Sequence, residues 1–232
     1  MYPRFLLGGD SSIIVQFENE ISQKVHKKVM GLTNAIMRAK IKGVIECVPT
    51  YNTVFITYNP KKTTHEKIIE KIKSLNFDGK DQKKKARILK IPVCYGQDFG
   101  GDLEEISKIT GLSREEIIKI HSEKEYLIYM IGFLPGFAYL GGLDERLIVP
   151  RLENPKLKIP AGSVAIGGSQ TGIYPVDSPG GWRIIGRTPI KVYDQERKNP
   201  VLFSAGDYIK FEVIDSDMFY KNQRGELKWE LE

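Results

Sequence analysis

Beyond Glu125 the chain carries no helical period, and glycine and proline crowd into three segments. These are residues 132–142 (GFLPGFAYLGG), 160–175 (PAGSVAIGGSQTGIYP) and 177–189 (DSPGGWRIIGRTP). Long helices do not survive such spacing, because glycine raises the entropy cost of ordering and proline removes a backbone donor. What remains are short runs suited to strands, at 126–131, 163–166, 172–175, 182–186, 190–193 and 208–214. Short strands broken at regular intervals by Gly and Pro predict a closed or nearly closed β-barrel.

The first third reads differently. Residues 4–7 and 12–17 form a predicted hairpin around Gly8-Gly9-Asp10. From 20 to 40, Ile21, Val25, Val29, Leu32, Ile36 and Met37 recur mostly at spacings of three and four, which marks one face of a helix ended by Gly43. Strands follow at 44–48 and 53–58, then a helix over 64–75 with Ile68, Ile69, Ile72 and Leu75 on one side. This predicts a small ββαββα sandwich with both helices on one face of the sheet. The basic run 80–87 (KDQKKKAR) separates the two regimes. The expected architecture is therefore α+β, with a small domain over 1–86 and a barrel domain over 87–232. The second domain opens with a strand at 87–93 and two helices, at 102–109 and 113–121. Gly111 is placed to end the first helix, and Ser113 with Glu116 makes the S-x-x-E pattern at the start of the second.

Charge narrows the function classes. The formal net charge is +6, but it divides into 17 basic and 8 acidic residues up to Arg87 and 18 basic and 21 acidic beyond it. The excess thus belongs to the small domain and its linker. No aromatic residue is interleaved with the lysines of 80–87, so the stacking platform of a single-strand binder is missing and no nucleic-acid partner is expected. No window approaches the roughly 18 apolar residues of a membrane helix, and the N-terminus shows no secretory signal. No membrane partner is expected, and the cytoplasm is the expected compartment. Cys47 and Cys94 are too few for a disulfide framework or a four-thiolate zinc site, and both are expected to be buried thiols. Of the three histidines, His26 is expected on an exposed helix face, and His65 opens the second helix. His121 ends a helix, where a cation suits the dipole; general acid–base work is its alternative. No histidine spacing suggests a metal site, and none is expected.

The candidate binding residues lie in the three glycine-rich segments. From the first come Phe133, Pro135, Gly136, Phe137 and Tyr139. The second supplies Gly168, Ser169, Gln170 and Tyr174, and the third Ser178, Gly180, Gly181, Trp182 and Arg187. Stiff loops that present aromatics and a few polar groups suit a ligand cleft or a partner groove. Gly167–Gly172 could offer successive N–H groups to an anion, or could be a tight turn. It is not a Walker loop, since no Gly-Lys-Ser/Thr follows. A guanidinium can clamp a carboxylate or phosphate, which favours Arg187 between Gly186 and Thr188-Pro189, whereas a barrel salt bridge suits Arg183. No catalytic residue is identified; His121, Gln170 and Arg187 are the best candidates.

At these segments the chain resembles a known family, that of the B-type subunit of bacterial 5-oxoprolinase, also named for the sporulation kinase inhibitor KipI and for allophanate hydrolase subunit 1. The stretches GFLPGFAYLGGLDERL, IPAGSVAIGGSQTGIYP and SPGGWRIIGRTP carry the resemblance. Gly9-Asp10-Ser11, Val48-Pro49-Thr50-Tyr51, Ile91-Pro92-Val93-Cys94-Tyr95 and Ala205-Gly206-Asp207 extend it in order along the chain. The resemblance implies a cyclophilin-like C-terminal barrel and a homologous partner, the C-type 5-oxoprolinase subunit. It implies ATP-dependent opening of 5-oxoproline to glutamate together with a third protein of the complex. ATP, with Mg2+, would then belong to the assembled complex and not be held tightly by this chain alone. The alternatives it carries are inhibition of a histidine kinase and a carboxyltransferase or allophanate-hydrolase role in urea metabolism. It marks Pro179 as a signature residue, along with the candidate binding residues above other than Gly168 and Ser169.

Overall fold

The computed structural model describes residues 3–77 and 86–230. The chain divides into two compact units, Met1–Lys85 and Ala86–Glu232. Apart from Ala86 and Arg87, the basic run lies outside the described residues.

In the first unit the elements are β1 (Arg4–Leu7), β2 (Ser12–Gln16), α1 (Gln23–Ala39), β3 (Val44–Pro49), β4 (Thr53–Tyr58) and α2 (His65–Lys73). They form an antiparallel sheet in the order β1-β2-β4-β3. Alternation puts Ile13 and Val15 of β2 on one face, opposite Ile56 and Val54 of β4. Val25, Val29, Leu32 and Ile36 of α1 and Ile68 and Ile72 of α2 complete the same cluster, so both helices cover that face. Ser22 caps α1, accepting from the Val25 N–H at 3.3 Å. The helix ends at Lys40 in the left-handed region (φ 44°), before Gly43, which belongs to the turn into β3. His26, expected to be exposed, is 3 % exposed: it sits one residue from Val25 at the edge of the buried stripe.

The second unit holds β5 (Ile88–Tyr95), α3 (Leu103–Thr110), α4 (Arg114–Glu123), β6 (Glu125–Ile131), β7 (Ala138–Gly141), β8 (Lys156–Ile159), β9 (Ser163–Gly167), β10 (Gln170–Ile173), β11 (Ser178–Gly180), β12 (Arg183–Arg187), β13 (Tyr208–Val213) and α5 (Ser216–Gln223). Seven strands close a barrel in the order β10-β7-β6-β13-β5-β12-β9, and β8 with β11 forms a separate ribbon. Closure leaves no free edge in the barrel. Among the described residues only β5 and β13 pair in parallel. Asp207 braces the start of that pairing, bound by Arg87 at 2.6 Å and by the Ser204 N–H at 3.0 Å. The caps expected from the sequence are present: Gly111 ends α3 at φ 74°, and Ser113 and Glu116 exchange both bonds of the capping box.

One expectation changes and one open choice is resolved. Residues 190–193 form no strand, only a bridge from Tyr193 to Val201; Pro189 supplies no N–H at that point. Of the two readings of the glycine run 167–172, the structure shows the tight turn. It is the β9–β10 hairpin, whose paired ends Gly167 and Gln170 leave Gly168 (φ 64°) and Ser169 as a two-residue turn. After β13 the chain continues into α5. Phe219 of that helix is 1 % exposed and packs on Phe99 at 4.6 Å. One buried aromatic on an eight-residue helix is too sparse a pattern to show a period. No helix among the described residues is long and apolar enough to cross a membrane.

Candidate functional site

The barrel strands sort their side chains onto two faces. Val164 and Ile166 of β9 join the main core, whereas Ala165 between them joins a smaller cluster with Phe137, Ile159, Tyr174, Trp182 and Ile184. Because successive strand residues face opposite ways, this second cluster lies on the outer wall, where β8 contributes Ile159. A cavity of about 370 Å³ opens there. Phe137, Tyr139, Tyr174 and Trp182 wall it, and Phe133, Arg151, Leu152, Pro155 and residues 179–181 complete its lining.

The wall is a continuous aromatic contact. Phe137 meets Tyr139 at 4.8 Å, Tyr174 at 5.1 Å and Trp182 at 5.5 Å, mostly edge to face. Such pairs add about 0.5–1.5 kcal/mol each beyond area burial. Two glycines make it possible. A Cβ at Gly167 would stand 2.5 Å from the Trp182 ring, and one at Gly180 would stand 2.4 Å from the Tyr174 Oη. The glycines of these segments therefore serve close approach of rings as well as turns. Phe133 differs from the buried aromatics. It is 66 % exposed and sits at φ 67°, a left-handed conformation that costs a bulky residue about 1–3 kcal/mol.

Half of the expected binding residues meet here: Phe133, Phe137, Tyr139, Tyr174, Gly180, Gly181 and Trp182. The rest stand elsewhere. Pro135 and Gly136 shape the loop before β7, Gly168 and Ser169 form the hairpin turn, and Gln170 begins β10 opposite Gly167. Ser178 begins β11 opposite Ile159; its hydroxyl is buried without a hydrogen-bond partner among the described residues. Arg187 does not line the cavity. Its Nε donates to the Ala161 carbonyl at 2.8 Å and its guanidinium stands 6.0 Å from the Phe219 ring centroid, so it braces the 160–162 loop. Arg183, expected in a barrel-surface salt bridge, is 6 % exposed, donates to the Pro150 carbonyl at 2.9 Å and pairs with Glu105 at 2.5 Å.

His121 is not a helix-end cation. It is fully buried and stacks on Phe211 at 4.7 Å. Thr171 donates its hydroxyl to the Ala165 carbonyl, so the ring Nε2 carries the proton and donates to Thr171 at 2.8 Å. Nδ1 then accepts from the Tyr95 phenol at 2.8 Å. Burial holds the imidazole down to about 3, and raises the Tyr95 phenol well above its usual value. Both ring nitrogens are satisfied by the core, which leaves none for a substrate. Burial also pushes up the thiols, that of Cys47 to about 11, which removes the thiolate that nucleophilic work needs. Cys94 is buried as expected, whereas Cys47 is only half-buried. Among the described residues no group of three His, Cys, Asp or Glu is placed to hold a metal.

Sequence reasoning missed Arg151, Leu152 and Pro155. Among the described residues Arg151 is the one charged residue in the lining, 5.7 Å from the Trp182 ring centroid. A charged residue between Pro150 and Leu152 in an irregular stretch carries no local signal. Tertiary hydrogen bonds bring it to the third segment: the Leu152 N–H donates to the Gly181 carbonyl at 2.8 Å and Arg183 donates to the Pro150 carbonyl at 2.9 Å.

Known proteins share this architecture. The family model of the carboxyltransferase domain, subdomain C and D, matches residues 3–203. The B-type subunit of the Bacillus subtilis 5-oxoprolinase is 39% identical over 91% of this chain and 93% of its own length. A crystal structure of a conserved uncharacterized protein from Pyrococcus horikoshii is 42% identical, covers 93% of this chain and 100% of that one, and superposes at a TM-score of 0.56. The K. lactis urea amidolyase superposes at 0.79 with 18% identity over 98% of this chain and 16% of that enzyme, a likeness of fold. A barrel with an aromatic outer pocket, matched across both units by one family model, makes this chain a member of the carboxyltransferase subdomain C and D family.

Proposed function

We propose that the chain is one subunit of an ATP-dependent 5-oxoprolinase, opening 5-oxo-L-proline to L-glutamate with a homologous C-type partner and a third protein. The observation that carries the reading is the relationship to the B-type subunit of the Bacillus subtilis enzyme, which spans more than nine-tenths of both chains. The pocket supports it: the three glycine-rich segments come together around one concave aromatic surface of small-ligand size. The lining does not fit Mg–ATP. It offers one guanidinium, no lysine and no carboxylate, and the glycine run 167–172 is a hairpin. On this reading the nucleotide belongs to the assembled complex, and this chain's share is to bind and orient the lactam. The isolated chain is expected to show little ATPase, and full reconstitution with both partners to show ATPase dependent on 5-oxoproline. A reconstituted complex that ignores 5-oxoproline, or that turns over a urea-derived substrate instead, sinks the reading in favour of the urea-metabolism alternative.

A second reading, inhibition of a histidine kinase, is favoured by Phe133 alone, an exposed aromatic held in a costly conformation. Exposed aromatics of this kind serve as binding anchors. Phe133→Ala is expected to lower capture of such a kinase at least about tenfold, the loss of about 1.4 kcal/mol or more that marks an anchor. Unchanged capture in a pull-down removes this reading. Phe137 and Trp182 are unsuitable probes of a surface, since both are buried.

A further inference from the structure

Arg151 stands out in the lining as an unmatched charge. Every other lining residue is aromatic, aliphatic, glycine or proline, and no acidic side chain is among them. No carboxylate among the described residues pairs with Arg151; its contact is the Trp182 ring. Its backbone, by contrast, is held on both sides. The carbonyl of Pro150 accepts from buried Arg183 at 2.9 Å, and the N–H of Leu152 donates to Gly181 at 2.8 Å. Arg151 is thus an exposed guanidinium on a braced stretch of backbone, with no counter-charge beside it, and is open to an anion from outside the chain. Burial raises the phenols of Tyr139 and Tyr174, and the charge of Arg151 works against that rise, so it acts on the same space as the wall. The faces of Tyr139 and Trp182 suit a flat ring, and the volume of about 370 Å³ suits a small molecule better than a protein segment.

We propose that the pocket takes a small cyclic amide bearing a carboxylate, with Arg151 clamping the carboxylate and the aromatic wall receiving the ring, so that Arg151 determines substrate specificity. The assignment rests on the oxoprolinase reading for the identity of the ligand, but the clamp can be tested apart from it. Titration of the full chain with 5-oxo-L-proline and with 2-pyrrolidinone, which lacks the carboxylate, is followed by NMR. The acid is expected to bind at least about tenfold more tightly than the lactam without it, a difference of one charge-assisted contact. Arg151→Met is expected to erase that difference while leaving 2-pyrrolidinone unchanged, and Arg151→Lys to restore part of it. In the reconstituted complex Arg151→Met is expected to raise KM for 5-oxoproline with little change in kcat. Equal affinity of the wild type for the two ligands overturns the clamp, as does an Arg151→Met variant that binds the acid normally. A variant that keeps the acid but no longer joins its partner protein also overturns it, by making the arginine a protein contact. A complex without oxoproline-dependent ATPase, in which the chain still holds the acid through Arg151, sinks the oxoprolinase reading and leaves the clamp standing.

Discussion

Phe137→Ala is expected to destabilise the barrel unit by about 3–5 kcal/mol, the range for removing a fully buried aromatic ring. In a unit of this size that corresponds to a melting temperature lower by roughly 10 °C. The ring is 1 % exposed and is the shared neighbour of Tyr139, Tyr174 and Trp182. Its loss leaves a void bounded by stiff glycine- and proline-rich segments, which are poor at collapsing into it. Tyr139, only half-buried at the edge of the same wall, is expected to tolerate Tyr139→Phe within about 1 kcal/mol. Thermal melts of the two variants distinguish a wall held together by Phe137 from one in which the rings merely line a loose loop. Equal, small shifts for both point to the loose loop. The contrast matters for function, because a loss of activity in Phe137→Ala reports collapse of the pocket and not a lost contact to substrate.

Acid is expected to unfold the barrel unit through His121. The folded ring stays neutral down to about 3, whereas an unfolded histidine takes up its proton near 6.5. Above that value both states are neutral and nothing is lost. Below it the unfolded chain binds a proton that the folded chain refuses, so stability falls by up to about 1.4 kcal/mol per pH unit. The loss levels off near pH 3, after a total on the order of 5 kcal/mol. Asp144, held low by Arg146 and Lys124, adds its own loss, but only below the ordinary carboxylate range. Denaturant titrations of wild type and His121→Phe from about pH 7 to 4 isolate the histidine, because the carboxylate contributions cancel in the difference. The variant is expected to be less stable at neutral pH, having stripped Tyr95 of its acceptor, yet to show a slope shallower by about one proton. Parallel slopes would refute the buried neutral ring.

Much of the fold was legible because its signals are local. The i, i+3, i+4 stripe from Val25 to Ile36 and the Ser113–Glu116 box each act within a few residues, and both appear where periodicity and capping chemistry place them. Barrel closure was also legible in outline, since glycine and proline leave short strands few other ways to pair. What escaped were elements whose reasons are distant. β7 hides inside a glycine-rich loop motif and exists because β6 and β10 flank it on both sides. Arg187, chosen for its stiff neighbours, uses that stiffness to brace a loop.

Local chemistry along the chain set the division into helical and barrel regimes, the caps, and the three segments from which the pocket is drawn. Which of their residues face the pocket was a matter of packing in three dimensions. The pleat sends Ala165 outward and its two neighbours inward, and ring packing on Gly167 and Gly180 sets the depth of the wall. Leu152 meets Gly181 across the fold to deliver Arg151, and core contacts on both nitrogens turn His121 from a candidate catalyst into a neutral part of the interior. Local propensity reaches only a turn or so along the chain, whereas charge, burial and contact at a site depend on residues far apart in sequence that only barrel closure brings together.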